Sequence, residues 1–319
     1  MNTDLLFSML PLTMIYATPI FIAALGGLMS ERSGIVNIAL EGIMMIGGFV
    51  AGTFVVILAP HLSSELTPLL SILIACAFGA LFSLIHAFVC INLKADQVIS
   101  GTAVNLLAAG LTVFLAQIIF SQQRTPNFTE GFTKTTYRPL SEIPVIGKIF
   151  FTNIYYTVYI GFALVLLIWF LVYKTRLGLR LRASGENPHA LASTGVSVAK
   201  IRYIGVISSG ALAGLAGGIM VLTQDTQFTT GSIHGTGFIA LAALIFGKWN
   251  PFGVLAASLF FAFSQVLAVF ATDISFLSFL PAEFFFAFPY ILTILALILF
   301  SGKSSGPKAV GEIYDVGKR

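Results

Sequence analysis

The chain has 319 residues, 57% of them hydrophobic and only 9% charged, with mean hydropathy +0.95 and a formal net charge of +4. Water-facing domains carry about 25% charged residues. These numbers therefore exclude a soluble protein and leave an all-α polytopic membrane protein, whose length counts spans rather than globular domains. The basic residues lie in connecting segments, as topology selection requires, so the pI near 9.1 does not point to nucleic acid.

The first apolar window covers about residues 5–29. No Lys or Arg precedes it, and it is long enough to span, so it reads as a retained helix rather than a signal peptide. The second window, about 36–58, carries Glu41 in an apolar setting, where an unsatisfied charge costs roughly 2.5–3.5 kcal/mol. On a continuous helix Gly34, Asn37, Glu41, Met45 and Gly48 share one face, which must turn toward protein or a wet cavity rather than lipid. Two readings stay open: Glu41 lines a path for a polar solute, or it caps or hydrogen-bonds a neighbouring helix.

The third window, about 68–91, holds Cys76 and Cys90 on one helix, about 21 Å apart along its axis, too far to bridge. The fourth, about 98–120, repeats the polar-face pattern in "DQVISGTAVNLLAAGLT". There Gly101, Asn105, Ala109 and Thr112 share a face, with Gln97 and Ser100 near its start. Asn37, Glu41, Gln97, Ser100 and Asn105 are the candidate path residues for a polar, largely uncharged solute. Residues 121–153 form a connecting loop, followed by a span at about 154–173.

Lys174, Arg176, Arg180, Arg182, Lys200 and Arg202 then make the strongest basic cluster, which places 174–203 in the cytoplasm and 121–153 outside. The outer loop nevertheless carries Arg124, Lys134, Arg138 and Lys148. Inside the cytoplasmic segment, "GENPHALASTGVS" encodes a short bounded helix: Asn187 as N-cap, Pro188 at the first position, Gly195 as the stop, and Ser197 capping the next helix. A span at about 204–223 follows, with Gly210, Gly214 and Gly218 in small-xxx-small spacing for tight helix crossing. A shorter window, about 235–247, is either a steep crossing or a half-helix, and spans follow at about 252–271 and 284–300. Nine crossings put the tail on the side of the basic cluster. "GIVNIALEGIM" from Gly34 also aligns with "GTGFIALAALI" from Gly235 in the opposite membrane sense, as an inverted repeat would.

No G-x-x-x-x-G-K-[ST] run is present, and the four histidines have no metal-ligand spacing. The chain thus reads as a non-enzymatic transport subunit without an ATP, magnesium or metal site of its own. An ion-coupled secondary transporter protonating at Glu41, or an integral membrane enzyme, are rival readings.

Three stretches, "ERSGIVNIALEGIMM", "DQVISGTAVNLL" and "GENPHALASTGVSVAKIRYIGVISSGALAGLAGG", followed by "GTGFIALAALIFGKWNPFG", resemble permease subunits of ATP-binding-cassette importers in the branched-chain amino acid and simple-sugar permease superfamily. The first two look most like the shorter permease of bacterial nucleoside uptake systems, with a simple-sugar (ribose) permease as the alternative. The resemblance implies a type II importer-like permease fold of about 8–10 spans in a bacterial cell membrane. It also implies a second, paralogous permease, a cytosolic ATPase that binds ATP and Mg, and a substrate-binding lipoprotein. Residues Asn187, Pro188, His189, Ala190, Leu191 and Gly195 would then form the coupling helix that docks on the ATPase.

Overall fold

The computed structural model describes residues 3–144, 146–271 and 306–315, together with Phe284, Ala287, Ile291 and Ile294. The expected span at 284–300 lies largely outside the described residues. Eleven helices follow in chain order: α1 (Thr3–Arg32), α2 (Leu40–Leu58), α3 (Leu66–Ile91), α4 (Gln97–Phe120), α5 (Ile146–Phe150), α6 (Tyr156–Lys174), α7 (Arg176–Glu186), α8 (Pro188–Ser193), α9 (Val198–Gln224), α10 (Thr236–Phe246) and α11 (Pro251–Val269). Among the described residues there is no strand, only an isolated bridge between Thr135 and Ile154.

Among the described residues, seven helices are long and apolar enough to cross a membrane, and they divide into two kinds. In α1, α2 and α9 at least 78% of the most apolar window is buried within the chain, against 22–39% in α3, α4, α6 and α11. The first three form the core, and the other four face outward with Leu, Ile and Phe, which is where lipid or another apolar chain must lie.

The core is held by close backbone approach, since apolar burial drives little association in lipid. α9 lies between α2 and α3. A Cβ at Gly214 would stand 2.5 Å from the Ala75 carbonyl oxygen and 2.8 Å from Gly79 Cα, and Gly214 also backs onto Gly47. Gly210 lies against Ser83 and Gly79, and a Cβ at Gly218 would stand a tight 3.2 Å from the Cβ atoms of Ala51 and Ala75. The three small residues thus sit in helix–helix contact.

The two ends of the bundle are chemically distinct. At one end Arg32 Nη2 donates to the Trp249 carbonyl (2.9 Å), and Trp249 Nε1 donates to Glu31 Oε2 (2.6 Å). Residues 306–315 lie across this end as a strap. The Ala309 amide donates to Gly185 (2.8 Å), the Gly311 amide to Gly34 (3.2 Å), and Arg202 Nη1 to the Glu312 carbonyl (3.1 Å). Lys94 pairs with Asp315 at 3.0 Å. The strap therefore rests on the basic 174–203 segment, on the side expected for the tail. The opposite end gathers 121–155 around 222–232.

Gly214→Val should drive a β-branched side chain into α3 and α2. We expect loss of about 1–3 kcal/mol or more, read as a lower thermal midpoint in detergent. Gly110→Ala, at a position where a Cβ meets nothing within 4 Å, should leave the midpoint unchanged or slightly raised.

Candidate functional site

Two segments inside the bundle are not helical, and the expected site residues gather around them. The first is 33–39. The sequence reading ran a helix through about 36–58, but α2 starts only at Leu40. Gly34 has φ +99°, which ends α1's course and leaves residues 35–37 without helical structure. The single helical face from Gly34 to Gly48 is therefore corrected: Gly34 and Asn37 belong to the break, and Glu41, Met45 and Gly48 to the helix.

Backbone polar groups at this depth have no water and must find partners in the protein. The Val36 amide donates to Gln97 Oε1 (2.7 Å). The Val36 carbonyl accepts from His86 Nε2 (3.0 Å), whose Nδ1 contacts Ser100 Oγ at 2.9 Å. A carbonyl can only accept, so in the neutral ring Nε2 carries the proton and Nδ1 accepts from the serine. Ser184 Oγ donates to the Ser33 carbonyl (2.7 Å), and Ser30 Oγ to that of Ile35 (2.7 Å). Asn37 is fully buried and donates through Nδ2 to Ser209 Oγ (2.8 Å), while its Oδ1 has no partner.

Asn105 completes the break from α4. Ala39, at the N-cap of α2, offers no side-chain acceptor. Asn105 Oδ1 instead accepts from the Gly42 amide (2.8 Å), and its Nδ2 donates to the Ile38 carbonyl (3.0 Å). Gly42 permits this approach, because a Cβ there would fall 2.7 Å from Asn105 Cα.

The second break runs from Asp225 to Gly235, ahead of α10. With 11 residues, α10 rises only about 16 Å, half the hydrocarbon thickness. It is the half-helix alternative, and the irregular segment before it joins it to the end of α9. Its N-cap, Gly235 (φ +77°), has no side chain to cap with. Glu41 does so from α2: Oε1 accepts from the Gly235 amide (2.9 Å) and Oε2 from the Gly237 amide (2.7 Å). The carboxylate also sits in the first turn of its own helix, so the positive ends of two helix dipoles converge on it. A glycine in left-handed backbone precedes each of α2 and α10, at the two positions that the weak internal repeat aligns. The match is offset, however, since Gly34 lies six residues before α2 and Gly235 directly before α10.

Four of the five candidate path residues spend polar atoms directly on the two breaks, Ser100 reaches the first only through His86, and none lines the nearby cavity of about 440 Å³ between α2, α3 and α4. That cavity is walled by Phe49, Phe54, Phe78, Phe82 and Thr53 among others. Sequence reasoning missed His86, dismissed for want of metal spacing, and did not single out Ser209.

At the basic end the expected short helix is present as α8. Asn187 Oδ1 accepts from the Ala190 amide (3.0 Å), Pro188 takes the first turn, and Gly195 (φ +79°) ends the unit. Pro188 and Leu191 face inward, while His189 and Ala190 are exposed. The His189 ring lies 5.2 Å from that of Tyr314 in the strap. α7, with Arg176, Arg180 and Arg182, was not foreseen as a helix.

Removing the remote caps should expose specific amides. Glu41→Leu leaves two buried donors unpaired, at roughly 1–3 kcal/mol each, and should speed hydrogen exchange at Gly235 and Gly237. Glu41→Gln keeps one acceptor and should fall between. Asn105→Leu should do the same at Gly42, without effect on Gly237.

A family model described as the permease component of branched-chain amino acid transport systems matches residues 9–297. The guanosine ABC transporter permease protein NupQ of Bacillus subtilis is 47% identical over 316 residues, covering 99% of each chain. The nucleoside ABC transporter permease protein NupC of Lactococcus lactis is 45% identical over 301 residues, 94% of each. A more distant relative, the guanosine ABC transporter permease protein NupP of Bacillus subtilis, is 26% identical over 245 residues, 76% of this chain and 68% of that one. With its helices of spanning length and helix breaks capped from neighbouring helices, this multi-pass membrane protein belongs to the family of branched-chain amino acid transport system permease components.

Proposed function

We propose that the chain is the transmembrane permease subunit of an ATP-driven nucleoside importer. What carries this reading is the near end-to-end similarity to permeases named for guanosine and nucleosides. α8 gives it a mechanical hold: a capped, rigid stub whose His189 and Ala190 face outward from the basic end. A cytosolic ATPase binding ATP and Mg docks there, and a second permease of the NupP kind pairs with this chain. A substrate-binding lipoprotein delivers the nucleoside on the opposite face.

Within this chain the coupling runs through the breaks. α8 leads directly into α9, which contacts the first break at Ser209 and Asn37. The same break opens into α2, whose Glu41 holds the start of α10. Movement of α9 therefore reaches both discontinuous crossings without unravelling a helix. Glu41, Asn37, Gln97, Ser100 and Asn105 act in this reading by holding and releasing backbone.

Reconstituted with its ATPase, partner permease and binding protein, the complex should take up labelled guanosine only with ATP. Unlabelled nucleosides should compete, and free ribose should not; uptake driven by an ion gradient alone refutes the reading. Ala190→Arg, on the exposed face of α8, should cut uptake at least tenfold while the permease keeps its thermal midpoint.

A further inference from the structure

At the membrane face opposite the basic cluster, a cavity of about 470 Å³ lies between the first turns of α1 and the 134–153 segment. Its floor is apolar: Phe7, Pro11, Leu12 and Ile15 follow one side of a spanning helix. From Phe7 to Ile15 that side descends about 12 Å into the bilayer. Its rim is cationic, formed by Lys134 and Lys148, with Thr152 and Asn153 between them. Lys148 Nζ stands 4.5 Å from the centroid of the Phe7 ring, and Lys134 Nζ 5.6 Å from that of Tyr155.

Two further observations locate this cavity in lipid. Leu140, Ile143 and Ile146, on the non-spanning segment beside Lys148, are 44%, 41% and 55% exposed, a surface that water would penalise and an interface would accept. The loop 121–153 also holds four basic residues (Arg124, Lys134, Arg138, Lys148) against two acidic ones (Glu130, Glu142), contrary to the usual depletion of Lys and Arg on that side. Two of those four converge on this rim.

We propose that the cavity binds an anionic phospholipid of the adjacent leaflet. Its phosphodiester sits between Lys134 and Lys148, and the first part of an acyl chain lies along Phe7, Leu12 and Ile15. Paired ammonium groups select a negative headgroup over a zwitterionic one. Inorganic phosphate shares the charge but makes no use of the apolar floor, and a docking protein domain does not reach below headgroup level. Bound there, the lipid ties the outer end of α1 to the 134–153 segment and accounts for basic residues that topology alone disfavours.

The full chain, with whatever partners copurify, is exchanged into neutral detergent containing equal phosphatidylglycerol and phosphatidylcholine, and retained lipid is counted by native mass spectrometry. Wild type should retain phosphatidylglycerol about tenfold or more over phosphatidylcholine. Lys134→Gln with Lys148→Gln should bring the ratio near one, Lys134→Arg with Lys148→Arg should keep it, and Lys200→Gln at the opposite face should not alter it. Parity in wild type overturns the proposal, as does a preference that survives the double glutamine variant. Thermal stabilisation by inorganic phosphate equal to that by phosphatidylglycerol replaces the lipid with a free anion. Loss of binding-protein association in the glutamine variant, with lipid retention unchanged, replaces it with a protein contact.

Discussion

The carboxylate of Glu41 accepts two amide hydrogens from the start of a helix that is not its own. A helix that begins inside the bilayer leaves donors that neither lipid nor its own glycine cap can satisfy. Placing an acid in the first turn of α2, where a second helix dipole also favours negative charge, answers that need with one side chain. Gly237 lets the two backbones come close enough, since a Cβ there would fall 2.5 Å from the Glu41 amide nitrogen. This junction fixes where α10 begins relative to α2, while the body of α10 packs along α1 and α11.

Asn105 repeats the device for α2, which also lacks a cap of its own. α4 thus holds α2, and α2 holds α10. Glu41 has both oxygens engaged and Asn105 both ends of its amide, so these two caps are direct protein contacts, while Asn37 Oδ1 in the first break has no partner. Polar residues in a membrane interior can carry solute or carry structure. In the conformation described, Glu41 and Asn105 hold the backbone amides at the starts of α10 and α2.

Much of this was legible in the sequence, and what was not has identifiable causes. Span windows and the stops around α8 are local signals: Asn187, Pro188 and Gly195 act within a few residues of themselves, and the observed helix follows them. The start of α2 was misread because periodicity cannot register a left-handed backbone at Gly34 when the residues beyond it remain apolar and helix-compatible. His86 was invisible because its partners, Val36 and Ser100, are 50 and 14 residues away in the chain. α7 was hidden by its own arginines, which the topology rule explains without any need for a helix. The strap at 306–315 was legible only as a tail on the basic side, since its contacts with Gly34, Gly185 and Arg202 are all long-range.

The irregular segment before α10 has a consequence for the loop that follows α4. Thr125 exchanges hydrogen bonds with Phe228, its amide donating to the Phe228 carbonyl and its hydroxyl accepting from the Phe228 amide. The Phe128 amide reaches Thr226, and that of Phe132 reaches Leu222. A stretch that resembles a surface connection is thereby stitched through its backbone to the end of α9 and the segment that follows it. Its span from Thr125 to Phe132 is matched to those partners, so an insertion there would break the pairing.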